Sequence, residues 1–106
     1  MAYTFSDANF QAEVIDSPNI TVVDLWAEWC GPCRMMTPII DELSSEFEGR
    51  AVIGKLNVDD NPEVPTNYNV MGIPTILIFK GGQLQHKLVG VQPKKVLQEK
   101  IAELLS

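Results

Sequence analysis

A chain of 106 residues, 45% of them hydrophobic, is the size of one globular domain covering residues 1–106 and can bury a continuous core without disulfide staples or a structural metal. A net charge of −6 repels phosphate backbones and anionic membranes, so nucleic acid and lipid drop out as primary ligands. The two cysteines, three positions apart, are too few for a secreted disulfide scaffold and too close to staple a long loop. Residues 1–7 hold no basic segment running into an apolar stretch, and no window approaches the roughly 18 unbroken apolar residues of a membrane span. A cytoplasmic monomer is expected. In that reducing setting a close cysteine pair serves chemistry rather than architecture.

Residues 3–5 read as a short strand, and Ser6 is a good N-cap for a helix running to about Ile15, with Phe10 and Val14 on one face. Ser17-Pro18-Asn19 ends it. Residues 20–26 form a β-branched and aromatic run broken only by Asp24, the pattern of a strand covered on both faces. From Pro32 onward Met36, Ile40, Leu43 and Phe47 recur at spacings of four, three and four, giving a long amphipathic helix that Gly49 can terminate and Pro38 should kink. Residues 51–58 are a second buried strand. Asp59-Asp60-Asn61-Pro62 lacks the ligand spacing of a calcium loop and reads as a turn into a short helical segment before Asn69. Residues 75–79 are a third apolar strand, and Gly81-Gly82 suits a tight hairpin into an antiparallel strand over 84–89. Pro93 fits the first turn of a closing helix with Leu97, Ile101, Leu104 and Leu105 as its buried stripe. This order predicts an α/β fold, a central mixed sheet with helices on both faces.

The chemistry concentrates in Trp26-Ala27-Glu28-Trp29-Cys30-Gly31-Pro32-Cys33, where a buried strand enters a helix. Cysteines at i and i+3 on a first helical turn share a face and are close enough to form a disulfide. Cys30, nearer the helix N-terminus, faces unpaired N–H groups and the positive end of the dipole, which stabilise a thiolate; it is the expected nucleophile. Cys33, a turn deeper, is the expected resolving thiol. The spacing by itself also admits accident or half a metal site. Zinc, however, needs about four ligands, and two cysteines with His86 do not supply them, so no metal is expected. His86 itself reads as a solvated strand residue, and Trp26, Met36 and Phe47 as core. Asp24 is either a satisfied structural carboxylate or a working acid, and Lys55 either a solvent-facing strand residue or a cation that tunes Asp24.

In these residues the chain resembles the thioredoxin family in its bacterial form, over nearly its whole length. Asp24, Trp26, Trp29, Cys30-Gly31-Pro32-Cys33, Pro38, Lys55, Gly72-Ile73-Pro74-Thr75, Gly81-Gly82 and Gly90 carry the likeness as an ordered set, far more specific than a bare Cys-x-x-Cys. The resemblance implies the thioredoxin-like fold, a five-stranded mixed sheet flanked by four helices. It implies an electron carrier of redox homeostasis that reduces protein disulfides through Cys30 and Cys33 and is itself reduced by a thioredoxin reductase. No cofactor beyond the redox-active Cys30–Cys33 disulfide is implied. Asp24 becomes the proton-transfer group for Cys33, and Lys55 its tuning cation. Pro74 is expected in the cis form, presenting the main chain of Ile73 to an extended substrate, within a substrate-binding rim of Trp29, Gly31, Pro32, Gly72, Ile73, Pro74, Gly90 and Val91.

Three departures stand out. Pro65 falls inside the short helix, Arg34 stands where lysine is common, and Lys94 and Lys95 sit at the unfavourable end of the last helix dipole. Two other functions compete with the reductant. One is a disulfide oxidant or isomerase, disfavoured by Gly31-Pro32 between the thiols and by the lack of a leader. The other is a non-catalytic interaction subunit that uses the same apolar rim.

Overall fold

The computed structural model describes residues 2–106. Strand β1, Tyr3–Thr4, leads into helix α1, Asp7–Phe10. Ser6 starts that helix with a reciprocal cap: its hydroxyl accepts the Asn9 N–H at 3.1 Å and the Asn9 side-chain oxygen accepts the Ser6 N–H at 2.8 Å. The helix continues to Ile15 as the sequence predicts, but Gln11–Ile15 widens into a π turn closed by the Asp16 N–H on the Gln11 carbonyl at 2.8 Å.

Strand β2, Ile20–Trp26, lies at the centre of a five-stranded sheet of order β1-β3-β2-β4-β5. Strand β3, Ala51–Asn57, runs parallel to β2 on one side, and β4, Thr75–Lys80, runs antiparallel on the other. The sheet is mixed, with β1 parallel to β3 and β5, Gln83–Val89, antiparallel to β4. A central strand needs both faces covered, and alternation along β2 divides the core accordingly. Ile20 and Val22 meet Met36, Ile40 and Leu43 of helix α2, Cys33–Glu46, together with Leu97 and Ile101 of helix α4, Lys94–Leu105. Val23 and Leu25 face Phe10, Val14 and Val64, the last from helix α3, Glu63–Asn67. Phe10, Tyr68 and Phe79 close that second layer, with centroids 5.4–5.8 Å apart and the two contacts of Phe79 edge-on. Truncating a side chain such as Ile40, wholly buried between helix and sheet, costs about 2–5 kcal/mol.

The sequence departures resolve locally. Helix α2 runs unbroken through Pro38, which leaves the Arg34 carbonyl without its i+4 donor. Pro65 occupies the third position of α3, where an N–H has no helical partner in any case, so no bond is lost. Pro93 is the residue ahead of α4 rather than part of its first turn. Lys94 offsets its position at the dipole by ion pairs with Glu42 at 3.6 Å and Glu46 at 3.1 Å on α2, and its hydrogen bond holds the Glu46 carboxyl below the usual range.

The β4–β5 hairpin turns on Gly81 and Gly82, at φ +56° and +79°, the geometry of a two-residue turn matched to strand twist. A side chain on Gly81 would point into open space, whereas one on Gly82 would run into the carbonyl of Ile15. Gly81→Ala should therefore lose only the left-handed penalty, about 1–2 kcal/mol. Gly82→Ala should lose clearly more, because the backbone at Ile15 must also shift. Urea unfolding of the two variants checks this, and equal losses would mean that the Ile15 backbone yields freely.

Candidate functional site

The turn between β2 and α2 is tight. The Cys30 N–H donates to the Ala27 carbonyl at 3.1 Å, and the Arg34 and Met35 N–H groups donate to Gly31 and Pro32 at 3.1 Å each. Pro32 caps the helix with helical backbone angles, so Cys33 is the first helical residue and Cys30 stands just before the helix rather than in its first turn. That shift aims the sulfur at the helix end. The Cys33 N–H donates to Cys30 Sγ at 3.2 Å, so the sulfur takes up the first helical N–H, which has no partner within the helix. The two cysteines are joined as a disulfide with Cα atoms 5.3 Å apart, and both are almost fully buried. Once the bond is reduced, the same N–H and the positive helix end favour negative charge on Cys30.

Asp24 sits one strand-length earlier, on the face of β2 that looks toward α2 and α4. It is completely buried and neither carboxylate oxygen has a hydrogen-bond partner. Burial pushes its pKa from the ordinary 3.8 up to about 7, against the opposing attraction of Lys55. Lys55 is the neighbour of Asp24 in the parallel β2–β3 register. Its ammonium lies 5.7 Å from the centroid of the Trp26 ring. Trp26 separates two open clefts. One, of about 230 Å³, reaches Cys33 and Thr37; the other, of about 340 Å³, reaches Lys55, Asn57 and Asp60. Trp26 is thus half-buried, packing against the Ala27, Cys30 and Cys33 cluster while lining both clefts.

Around the sulfurs, the Ile73 carbonyl lies 3.8 Å from Cys30 Sγ, and the Ile73–Pro74 bond is cis as expected. The Gly90 N–H donates to the Pro74 carbonyl at 2.8 Å, with Gly90 at φ +91°, and the Thr75 hydroxyl holds the Gly72 carbonyl. Cys30, Ile73, Pro74 and Gly90 are thereby brought together. Pro74 itself is buried beneath the surface that Trp29, Gly31, Pro32, Gly72 and Val91 present to solvent. Several residues of the site were not read from the sequence. Asp59 accepts the indole N–H of Trp29 at 3.0 Å and fixes that ring. Val58, Pro65, Val70 and Met71 join Trp29, Gly72 and Ile73 around an apolar groove of about 200 Å³. The available signal was Val70-Met71, an apolar pair just before Gly72 where a polar turn would be ordinary; Val70 packs partly against the core and Met71 is exposed. No cluster of three or more metal-ligand side chains occurs among the described residues, and no helix there is long and apolar enough to cross a membrane.

Comparison with known proteins agrees with this arrangement. The family model for thioredoxin matches residues 1–103. A thioredoxin of Chlorobaculum thiosulfatiphilum is 48% identical over 98 residues, spanning 92% of this chain and 91% of the relative. A thioredoxin of Rickettsia felis is 46% identical over 97 residues, 92% of each chain. One of Synechocystis is 46% identical over 100 residues, 94% of each.

The buried carboxylate makes stability depend on pH. With its folded pKa raised to about 7, the folded state holds the proton more tightly than the unfolded chain. That contribution is complete below the unfolded value and is lost as pH rises through about 7, above which an unpaired charge is buried. Asp24→Asn removes the charge at nearly constant shape. The variant should exceed the wild type by a few kcal/mol at pH 9 and differ little at pH 4, measured by urea unfolding. A variant less stable than wild type at pH 9 would mean that the charged carboxylate has a partner in solution.

Proposed function

Because the chain belongs to the thioredoxin family and is a thiol-disulfide oxidoreductase, we propose that its dithiol reduces disulfides in other proteins and is regenerated by a thioredoxin reductase. Cys30 is the nucleophile. The observation that carries this reading is the Cys33 N–H on Cys30 Sγ, a donor that stabilises charge on the outer sulfur alone. The Cys30 thiolate attacks one sulfur of the target cystine, forming a mixed disulfide and releasing the other target sulfur as a thiolate. Cys33 then loses its proton and attacks Cys30 Sγ. The mixed disulfide breaks, the target leaves fully reduced, and the Cys30–Cys33 bond closes.

Asp24 is the group we assign to the proton of Cys33. A carboxyl that titrates near 7 exists in both forms at neutral pH and can accept or return a proton, as an ordinary surface aspartate cannot. Lys55, on the same face of the next strand, tunes it by opposing the burial effect. The target segment lies along Ile73 in extended form, its main chain facing the exposed loop at Gly72 and Ile73 as in strand addition, with Trp29, Gly31, Pro32, Gly90 and Val91 as the surrounding rim. No bound cofactor enters this scheme, since the electrons reside in the dithiol. The protein acts as a single domain over residues 1–106, a monomer in the cytoplasm.

The two sulfurs have separable roles, and single substitutions read them out. Cys33→Ser should accumulate covalent complexes with target proteins, because the mixed disulfide forms and cannot be resolved. Cys30→Ser should form none and should lose protein-disulfide reduction altogether. Non-reducing electrophoresis after mixing with oxidised target proteins makes the comparison; equal trapping by both variants would remove the assignment.

A further inference from the structure

The methionines outside position 1 divide sharply. Met36 is fully buried, its sulfur accepting the Gln92 N–H at 3.3 Å, while Met35 is 63% and Met71 96% exposed. Met71 forms a wall of the apolar groove with Trp29, Val58, Pro65, Val70 and Ile73, and Met35 takes no part in it. None of these lining side chains carries a charge. The groove is continuous with the redox pair through Ile73, whose carbonyl is 3.8 Å from Cys30 Sγ. On the proposed reading, a protein segment that brings a cystine sulfur to Cys30 runs along Ile73, which lines the same groove as Met71.

We propose that Met71 is an oxidation-sensitive docking residue: as a thioether it completes the wall that receives an apolar side chain beside the substrate cystine, and as a sulfoxide it turns such substrates away. The oxidant is a hydroperoxide. The Met71 sulfur donates an electron pair to one peroxide oxygen, the O–O bond breaks and an S=O bond forms. The other oxygen leaves with the proton as water or an alcohol. The thioether is thereby oxidised by two electrons and the peroxide reduced by two. The sulfoxide oxygen is a strong acceptor, and the lining side chains offer it no free donor once a substrate side chain displaces water, since the one indole N–H among them, that of Trp29, is held by Asp59. Exchange at Cys30 and Cys33 continues, since neither sulfur lies in the groove wall. The inference rests on the reading of the site as a protein-disulfide reductase.

The test treats wild type, Met71→Leu and Met35→Leu with hydrogen peroxide. Each protein is held as the disulfide so that no free thiol competes. After peroxide is removed, peptide mass mapping locates the added oxygen, and each protein is compared with its own untreated sample. The substrates are a protein with an apolar residue beside its cystine and a small aromatic disulfide. Met71 should take up oxygen before Met35, and Met36 should take up none. The wild-type KM for the protein substrate should rise about fivefold or more, the order expected for burying an unpartnered polar group. Its kcat and its rate on the small disulfide should be unchanged. Met35→Leu should respond as wild type does, and the KM of Met71→Leu should be the same before and after treatment. An unchanged KM in wild type oxidised at Met71 would overturn the proposal, as would an equal rise in Met71→Leu or a matching loss on the small disulfide. Failure of untreated wild type to reduce the protein substrate at all would instead remove the underlying reading, and the proposal with it.

Discussion

Strand β2 must be covered on both faces and paired on both edges, and the arrangement of the rest of the molecule follows from meeting that demand. Its residues are buried from Ile20 through Leu25, and a backbone so placed has no water for its N–H and C=O groups. The parallel partner β3 and antiparallel partner β4 supply the hydrogen bonds, while α2 with α4 and α1 with α3 supply the two faces. The same constraint positions the chemistry. A strand covered by the helix that follows it must deliver the chain from its C-terminal end to that helix's N-terminus, and Cys30 and Cys33 occupy this passage.

Burial acts in opposite senses on the two groups that matter most. At Cys30 it brings the sulfur against a helix N-terminus, where the Cys33 N–H offsets the loss of water and favours the charged form. At Asp24 no such donor exists, and the carboxyl is driven toward neutrality despite Lys55. An anion is thus favoured at the outer sulfur and disfavoured one strand-length inside. Trp26 lines both of the clefts that reach Cys33 and Lys55.

Much of this was legible in the residues because burial and periodicity coincide along the chain. The strand over 20–26, the helix stripe of Met36, Ile40 and Leu43, and the glycine hairpin each have one arrangement that satisfies them. The thiol pair was legible because its spacing and its place at a strand-to-helix passage carry the same message. What escaped was set by contacts between distant segments. Nothing local to Asp59 marks it as the anchor of Trp29, and the groove wall draws on Val58, Pro65 and Met71 from three places in the chain. The π turn at Gln11–Ile15 was equally invisible, since its apolar spacing suits an α-helix almost as well. Helix α2 beginning at Cys33 instead of Pro32 is a shift of one residue, yet it determines which N–H meets which sulfur.

The groove depends on a chain of caps that begins far from it. The Asp7 carboxylate accepts the N–H groups of Glu63 and Val64 at 3.0 Å each, capping α3 from the start of α1, while Asn61 accepts the Asp7 N–H at 2.8 Å. At its other end α3 closes with Asn69 at φ +53°, the Val70 N–H on the Pro65 carbonyl at 2.8 Å and the Asn69 N–H on Thr66 at 3.3 Å. Lys87 of β5 then donates to the Tyr68 and Asn69 carbonyls at 3.1 and 2.8 Å, binding positive charge to the negative end of the helix. Val70 and Met71 follow directly from this closed turn. Their position beside Ile73 is therefore fixed by the N-terminal cap, a five-residue helix and an edge-strand lysine acting in series. A wall so supported can expose an apolar side chain to solvent without collapsing onto the core, which is the condition for a preformed surface beside the sulfurs.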